Sequence, residues 1–299
     1  MTDTTNLKKT DPIEVMLVCD ENYGAFMATT MASILKNAAE DDSLRFHIVD
    51  CGLGNASLEA VEELKKLRPF DVVYYQHKLP DYVYSIKTPF PAVVYHRLFA
   101  PTFLPESLDK ILYLDVDIAV LASLRELWDA SLDGVFAAAV TDRRIDEEHC
   151  RSIGIENKAD YFNAGVLLMN LKKWREDDVV ARLFEIIQEF EGRLFYADQD
   201  VLNIYASRYG LHLVSGDWNT NPLDYVEGQT RLLHYMGSRR HSPHLDVLFN
   251  YASLTTFRRL PMQRASFKIK RAICKFLCLF LFRRKDRQFL RELMKVNVR

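Results

Sequence analysis

The stretch "IEVMLVCDENYGAFMATTMASILKN", residues 13–37, decides the fold class of this chain. It begins with an apolar run that ends on an aspartate, as buried strands often do, and it continues with the apolar spacing of a helix. Residues 44–67 repeat this pattern, with a helix that we expect to be capped near Asn55 or Ser57. The sequence "DVVYY", residues 71–75, is a third strand. Two successive strand–helix units predict parallel strands with helices on both faces, a Rossmann-like half.

Length and composition are those of a globular protein with one large domain. The chain has 299 residues, of which 48% are hydrophobic, and this is enough for a substantial core. We expect a disordered lead-in over residues 1–11, one α/β domain over residues 12–260 and a tail over residues 261–299. A G-x-G-x-x-G sequence does not follow the first strand, which disfavours a dinucleotide-dependent dehydrogenase. The five cysteines lack C-x-x-C spacing, which favours a reducing, cytoplasmic compartment.

The tail is strongly basic. From Arg264 onward it holds 12 Lys and Arg against 2 Asp and Glu, so its net charge is +10 and that of the remaining chain is −12. Its apolar run "AICKFLCLFLF", residues 272–282, is far shorter than the ~20 residues that cross a bilayer. Apolar residues between basic clusters are typical of a segment that lies on an anionic membrane. The alternative is a terminal helix packed on the domain. The acidic main body disfavours nucleic acid as a partner.

Two carboxylates interrupt an apolar strand in "KILYLDVDIAV", residues 110–120. In an extended chain Asp115 and Asp117 point the same way and converge on one ligand. Converging carboxylates raise each other's pKa unless a cation lies between them, and a hard divalent cation would also bind diphosphate oxygens. The D-x-D spacing alone is a weak signal. A second match at residues 198–200 lies at a predicted helix start, where carboxylates simply cap backbone N–H groups.

Other acids also stand at the ends of predicted strands, among them Asp20, Asp50 and Asp142. In open α/β sheets, ligands bind beyond the carboxyl ends of the strands, so these acids are expected at one rim. Downstream, residues 161–176 predict a turn at Asn-Ala-Gly, an apolar strand and a solvated helix start at Lys172, Lys173 and Arg175. A late strand, "TRLLHYMG", carries His234, and a lone histidine in such a place is more often hydrogen-bonded than metal-bound.

At this point four ordered motifs establish a resemblance to a known family. "LYLDVDIAV", "YFNAGVLLMNLKKWR", "DQDVLN" and "HYMG" occur in the order and at the spacing of family 8 of the retaining glycosyltransferases. The sequence resembles most the bacterial lipo-oligosaccharide and lipopolysaccharide galactosyl- and glucosyltransferases, and less closely the glycogenins. The similarity runs from Ile13 to about Trp218 and resumes at His234. It implies a GT-A type α/β fold, a Rossmann-like, mostly parallel mixed sheet flanked by helices, with the basic tail as a helical appendage.

The resemblance also implies a metal site. Asp115 and Asp117 match the acids that bind Mn²⁺ in the family, and His234 matches the third protein ligand. Mg²⁺ is the alternative ion. With this match, metal ligation by His234 becomes the favoured interpretation.

The resemblance also implies which residues bind the donor. Asp20, Asn22 and Tyr23 match the loop that contacts the nucleotide, and Tyr23 fits base stacking. Arg97, in "YHRL", matches an arginine that helps to hold the donor, and Asn163 matches a residue beside the donor sugar. If Asn163 has no such contact, it serves only the geometry of its turn.

The reacting face is implied by three further matches. Asp198 and Gln199 match residues around the donor sugar, with Gln199 nearest the reacting face, and Asp142 matches an acid near the acceptor. The neutral amide of Gln199 is a poor nucleophile. That favours attack from the face that the leaving phosphate occupies over a covalent intermediate on Gln199, and Asp198 is the second candidate nucleophile.

The match departs from the family at one place. The family usually continues H-x-x-G-x-x-K-P-W, with the lysine on the diphosphate, whereas this chain reads "HYMGSRRHSPH", residues 234–244. Gly237 keeps the glycine of the motif and is expected beside the donor. Arg240 takes the place of the lysine, with Arg239 as the alternative, and either arginine keeps the charge while changing its reach.

The expected function is therefore the transfer of galactose or glucose from UDP-galactose or UDP-glucose to a saccharide or lipid-linked oligosaccharide. The basic tail gives a physical reason for a lipid-linked acceptor, such as the lipopolysaccharide core. The alternative is a catalytically silent membrane adaptor that binds a sugar nucleotide. The complete set of Asp115, Asp117 and His234 disfavours that alternative.

Deletion of the chain after about residue 264 tests the role of the tail. We expect the shortened protein to transfer sugar to soluble acceptors but to lose its binding to anionic vesicles, because the cluster of basic and apolar residues is gone. Co-sedimentation with vesicles measures this, and vesicles of neutral lipid are the control. Equal sedimentation of the full and shortened chains would contradict the membrane role.

Overall fold

The computed structural model describes residues 11–236, 242–258 and 260 of the chain. Among these residues the strands are β1 (Ile13–Cys19), β2 (Leu44–Asp50), β3 (Asp71–Tyr75), β4 (Ile111–Leu114), β5 (Ile118–Val120), β6 (Ala137–Thr141), β7 (Phe162–Met169), β8 (His212–Leu213) and β9 (Leu232–His234). The α-helices are α1 (Gly24–Asn37), α2 (Asn55–Leu64), α3 (Ala100–Phe103), α4 (Arg125–Trp128), α5 (Glu147–Ser152), α6 (Leu171–Glu176), α7 (Val179–Glu189), α8 (Asp198–Tyr209) and α9 (Leu245–Ala252). A 3-10 segment, Ala92–Phe99, continues into α3.

Seven strands form the main sheet, in the order β3-β2-β1-β4-β7-β6-β8. The first four are mutually parallel, and β7 runs antiparallel to both β4 and β6. The carboxyl ends of β1, β2, β4 and β6 therefore meet the amino end of β7 at one edge. The predicted mostly parallel mixed sheet flanked by helices is confirmed. A second, two-stranded sheet pairs β5 with β9.

Alternation along the strands gives the main sheet two buried faces. In β1, Val15 and Leu17 belong to the buried cluster that includes residues of α1, α2 and α9, whereas Met16 belongs to the cluster that includes residues of α3, α6, α7 and α8. Such a sheet, covered on both sides, needs strands that are apolar along their whole length. This is why β4 reads as a continuous apolar run that ends before Asp115 at the rim. In β1 one polar residue, Glu14, is buried at the opposite end, where it pairs with Arg45 and His47.

Two hydroxyl groups of α1 attach this helix to β5. The Thr30 hydroxyl lies 2.8 Å from the carbonyl oxygens of both Val116 and Ile118. The Ser33 hydroxyl accepts a hydrogen bond of 2.9 Å from the backbone N–H of Val120. Because these partners are buried, unpaired groups here would destabilise the fold. The contacts hold the backbone on both sides of Asp117.

The loops after β1 and β2 are joined by Glu21. Its carboxylate accepts hydrogen bonds from Gly54 N–H at 2.7 Å and from the Ser57 hydroxyl at 2.6 Å, at the start of α2. The N-cap of α2 is Gly54, next to Asn55 as predicted, and the carboxylate that binds this end of the helix comes from a different loop. A Cβ on Gly24 would lie 1.9 Å from the Ser57 hydroxyl oxygen, so α1 and α2 approach too closely there for a larger residue.

The predicted turn at residues 163–165 is part of strand β7. The pairing of β7 with β6 shifts between Ala139 and Val140, so that Asn163 pairs with Val140 inside the sheet. Asn163 is buried, and its side-chain oxygen accepts a hydrogen bond from Gly165 N–H at 3.0 Å. An asparagine and a glycine read as a turn, but here they accompany a local irregularity of the strand.

The prediction that Arg175 lies solvated at a helix start is wrong. Lys172 is exposed and Lys173 pairs with Asp177 at 2.8 Å, but Arg175 is only partly exposed. Its guanidinium donates hydrogen bonds to backbone carbonyls that precede β4, those of Pro101, Leu104, Pro105, Glu106 and Leu108. Arg175 therefore fixes the loop from which β4 enters the sheet.

Parts of the sequence analysis fall outside the described residues. These are residues 1–10 of the predicted lead-in and the whole predicted tail over residues 261–299. Within the described residues, every helix is too short or too polar to cross a lipid bilayer.

Replacing Arg175 by leucine tests its structural role. We expect Arg175→Leu to lower the free energy of unfolding by about 1–3 kcal/mol, because several carbonyls lose their donors. The matched control, Lys172→Leu, removes an exposed cation of the same helix and should change it by less than about 0.5 kcal/mol. Urea unfolding measures both, and equal stability of the two variants would contradict this role.

Candidate active site

Three side chains that can bind a metal converge at the rim. Asp115, Asp117 and His234 offer ligand atoms that all lie within 4.8 Å of one another, and no other such group of three is found among the described residues. The Nε2 atom of His234 lies 3.5 Å from Asp115 Oδ2 and 3.3 Å from Asp117 Oδ1. The pairing of β5 with β9 brings them together, because it places Ile118 opposite His234.

This donor set fits a divalent cation. Carboxylate oxygens suit Mn²⁺ and Mg²⁺, and an imidazole nitrogen suits transition ions. Burial alone would lower the pKa of His234, but its contacts with Asp115 and Asp117 raise that pKa to about 9. Burial alone would raise the pKa of Asp115, but Arg97 and His234 hold it well below its usual range. Asp115 therefore stays ionised and can bind a cation, which would take the place of the proton on His234.

The absence of a side chain at Gly165 leaves space for the side chains of Asp115 and His234. A Cβ at this position would lie 2.2 Å from Cε1 of His234 and 2.6 Å from Oδ2 of Asp115. The backbone of Gly165 also accepts a hydrogen bond of 2.8 Å from Asp115 N–H. A glycine inside a strand signals such a close approach, although sequence alone does not say what approaches.

A chain of side-chain amides leads away from His234. Its Nδ1 lies 2.9 Å from Oδ1 of Asn219, which makes Nδ1 the donor and leaves Nε2 facing the carboxylates. Asn219 in turn donates to Oδ1 of Asn163 at 3.0 Å. A second residue that orients a ligand histidine in this way is a regular feature of metal sites.

The amide chain ends at Gln199 and Asp142. The side-chain oxygen of Gln199 accepts hydrogen bonds from Asn163 at 3.1 Å and from Ala164 N–H at 3.0 Å. Its side-chain nitrogen lies 3.5 Å from the carboxylate of Asp142, which Asn163 also approaches at 3.4 Å. Because the oxygen of Gln199 already accepts two hydrogen bonds, its lone pairs are engaged and it is poorly placed as a nucleophile.

Arg97 lies buried between two acids of the site. Its Nε is 2.7 Å from Asp198 Oδ2, and its Nη1 is 3.4 Å from Asp115 Oδ1. The guanidinium also donates to the carbonyl of Ala164 and lies 4.3 Å from the ring centre of Tyr113. Burial alone would lower the pKa of Arg97, but the neighbouring acids raise it, so the group stays charged.

The two acids of "DQD" have different surroundings. Burial raises the pKa of Asp198 to about 7 although Arg97 opposes the shift. Asp200 is fully buried and accepts hydrogen bonds from Tyr161, His149 and the backbone of Tyr196 at 2.6, 2.8 and 2.7 Å. Both acids are thus engaged with the protein interior, and among the described residues they belong to no metal-binding group.

The predicted nucleotide loop lies at the end of β1. Asp20 accepts a hydrogen bond from Tyr23 N–H at 3.2 Å, and Asn22 donates to Asp20 at 3.1 Å. The ring of Tyr23 lies 5.8 Å from that of Phe26, and Tyr23, directly before α1, also packs against the core. Because β1 and β4 are neighbours in the sheet, this loop and Asp115 share the same rim. Gly237, Arg239 and Arg240 lie outside the described residues.

Residues 14–240 match the protein family described as "Glycosyl transferase family 8". The match covers well over half of the chain. This chain belongs to glycosyl transferase family 8.

Named relatives share much of the length of this glycosyltransferase. It is 27% identical to the lipopolysaccharide 1,2-glucosyltransferase of Escherichia coli, over 81% of this chain and 75% of that protein. It is 28% identical to a putative glycosyltransferase of Haemophilus influenzae over 64% of this chain, and the match spans 58% of that relative's length. The predicted hexosyltransferase agrees with these relatives.

A solved structure gives the same picture of the fold. The galactosyltransferase LgtC, crystallised with donor and acceptor sugar analogues, superposes with a TM-score of 0.69 at 26% identity. The match covers 83% of this chain and 98% of that one. The predicted GT-A type fold and family are therefore confirmed.

Some residues of this glycosyltransferase site escaped the sequence analysis. Asn219 had no signal beyond its position in the polar sequence "DWNTN", residues 217–221. Tyr113 donates a hydrogen bond of 2.6 Å to Asp115, yet it reads as one more apolar strand residue. Asn219 contacts residues far away in the chain, and Tyr113 contacts Asp115 two residues later. The pattern of apolar and polar positions in the sequence shows neither contact.

The ion pair of Arg97 and Asp198 can be tested by a double-mutant cycle. We expect Arg97→Met to lower the free energy of unfolding by about 3–5 kcal/mol, because it leaves buried carboxylates without their cation. Adding Asp198→Asn should recover part of this loss. Urea unfolding of the four proteins measures the coupling, and additive effects would contradict the pairing.

Proposed function

We propose that this enzyme transfers galactose or glucose from a UDP-sugar to a saccharide of a lipopolysaccharide or lipo-oligosaccharide core. The transfer retains the configuration of the anomeric carbon and depends on Mn²⁺, with Mg²⁺ as the alternative. One observation carries the proposal. The convergent set of Asp115, Asp117 and His234 is connected through Asn219 and Asn163 to the pair of Gln199 and Asp142.

On the donor side, Asp115, Asp117 and His234 hold the cation. When bound there, a divalent cation supplies positive charge to the diphosphate leaving group. Asn219 keeps Nε2 of His234 turned toward the carboxylates, which supports its role as a ligand. Arg97 holds Asp115 and stabilises the negative charge that gathers at this rim.

The nucleotide and the diphosphate have further partners in the proposal. Asp20 and Asn22 contact the nucleotide, and Tyr23 stacks on its base. Gly237 lies beside the donor, and Arg240, or Arg239 in its place, binds the diphosphate bidentately. The proximity of the β1 loop to Asp115 along the rim supports the first three roles.

On the acceptor side, Asp142 positions the attacking hydroxyl, and Asn163 and Gln199 position the donor sugar. The attacking oxygen forms its bond to the anomeric carbon on the face from which UDP departs. The bond from that carbon to the phosphate oxygen breaks, its electron pair leaves with UDP, and the hydroxyl proton passes to the departing phosphate. The engaged oxygen of Gln199 and the burial of Asp198 against Arg97 support this route over a covalent intermediate.

The proposed acceptor and location rest on different observations. Relatives named as lipopolysaccharide glucosyl- and galactosyltransferases support the lipopolysaccharide core. The basic, apolar sequence of residues 261–299 supports a peripheral position on the inner leaflet of the cytoplasmic membrane.

A screen of UDP-sugars with Mn²⁺ tests the proposal. We expect UDP release from UDP-galactose or UDP-glucose, faster with an acceptor and abolished by EDTA. Asp117→Asn should reduce release by about 100-fold or more, because the charge stabilisation of the leaving group is lost. The matched control, Asp71→Asn, alters an exposed acid at the opposite edge of the sheet and should leave the rate unchanged. UDP release by Asp117→Asn at the wild-type rate would remove the metal assignment.

A further inference from the structure

A cavity of about 400 Å³ adjoins the candidate active site at the end of β6. Asp142, Arg143, Lys158 and Gly216 are among the residues that line it. A second cavity of about 160 Å³ shares Asp142, Arg143 and Gly216 with the first and is also lined by Asn163. The space therefore continues from the residues around Gln199 to a region beyond Asp142. Its total volume is that of a pocket for a small ligand.

Two cations line the larger cavity without a counter-ion among the described residues. Neither Arg143 nor Lys158 forms an ion pair there, whereas the neighbouring Arg144 pairs with Asp224 at 2.7 Å. Lys158 is partly buried and Arg143 is exposed toward the cleft. Their charges are thus available to an anion that enters the cavity.

The acids near these cations already have other partners. One oxygen of Asp142 accepts a hydrogen bond from Arg144 N–H at 3.0 Å, and the other faces Asn163 at 3.4 Å. In the smaller cavity, Asp217 accepts a hydrogen bond from the Ser215 hydroxyl at 3.0 Å. The larger cavity consequently keeps a positive balance, with two cations against one carboxylate among its lining residues.

Gly216 lets the Arg143 guanidinium lie close to the backbone. A Cβ at this glycine would lie 3.3 Å from Nη2 of Arg143, closer than side chains usually approach. An arginine that rests on a backbone loses less freedom when it binds an anion than one that extends into water. Its planar group can then form two parallel hydrogen bonds with a phosphate or carboxylate.

We propose that the acceptor saccharide carries an anionic group, a phosphate or a carboxylate, which Arg143 and Lys158 bind while the reacting hydroxyl lies at Asp142. The inference rests on the proposed function and adds the class of acceptor. Asp142 stands between the amide of Gln199 and the two cations, so one acceptor molecule reaches both. Arg143 and Lys158 are specificity-determining residues that act on binding of the acceptor and do not take part in bond making.

Three matched disaccharide acceptors test this: a neutral one, its monophosphate and its uronic-acid analogue. With the UDP-sugar that the wild-type enzyme hydrolyses, we expect a higher kcat/KM for at least one anionic acceptor than for the neutral one. Arg143→Gln should lower kcat/KM for that acceptor by about 10- to 100-fold, the range of a lost charge-assisted hydrogen bond. Its effect on the neutral acceptor should be within about 2-fold of wild type, since ordinary surface substitutions change little.

Further variants separate recognition from general damage. Arg143→Lys should retain part of the preference, and Lys158→Gln should lower it, mainly through KM. Arg208→Gln is the control, because Arg208 pairs with Glu189 at 2.9 Å and lies about 14 Å from Gln199 along α8. It should leave kcat/KM for all three acceptors unchanged. The anionic acceptor that is preferred distinguishes a phosphate from a carboxylate.

The outcomes separate this inference from the proposed function. Release of UDP without acceptor reports the donor site alone and should be equal in wild type and Arg143→Gln. If the wild-type enzyme hydrolyses a UDP-sugar but uses neutral and anionic acceptors equally, the inference is wrong and the proposed function stands. An equal loss for all acceptors in Arg143→Gln would also overturn it. A wild-type protein that releases no UDP from any donor would overturn both.

Discussion

Several carboxylates are buried at one rim of this site, and their negative charge must be balanced for the site to exist. Arg97 supplies much of the positive charge that balances them. Its guanidinium lies 2.7 Å from Asp198 and 3.4 Å from Asp115, two acids contributed by different elements of the fold. Without a cation, such acids would be protonated or would destabilise the folded state. The fold supplies this balance by packing the 3-10 segment that carries Arg97 against β1, α7 and α8. The open side of Asp115 then remains available to His234.

Hydrogen bonds between side chains connect the two ends of the site. Side-chain amides of Asn219, Asn163 and Gln199 form one hydrogen-bonded chain from His234 to Asp142. Each amide both donates and accepts, which fixes its orientation and that of the next residue. In the proposed function this chain couples the geometry of the metal ligands to the place where the donor sugar and the acceptor hydroxyl meet.

The charge of the rim changes along its length. Around Asp115 and Asp117 it is acidic, as suits a cation, whereas beyond Asp142 the side chains of Arg143 and Lys158 make it basic. In the proposed function the acidic part would meet a cation, the cation would meet the sugar diphosphate, and the basic part would meet an anionic acceptor. Electrostatic complementarity of this kind contributes more to selectivity than to overall affinity.

Local sequence determined most of the strands, the fold class and the emergence of Asp20, Asp50, Asp115 and Asp142 at strand ends, because apolar runs and their termini are properties of short segments. The resemblance to the family added His234 and Gln199 to the candidate site. Only the tertiary structure revealed the contacts of Asn219, Gly165, Glu21 and Arg175, and the inclusion of Asn163 in β7. Those contacts join residues far apart in the chain, and their existence depends on how α1 packs on β5 and how β5 pairs with β9. Packing of this kind leaves no periodic trace in the sequence, so it was decided by the folded structure alone.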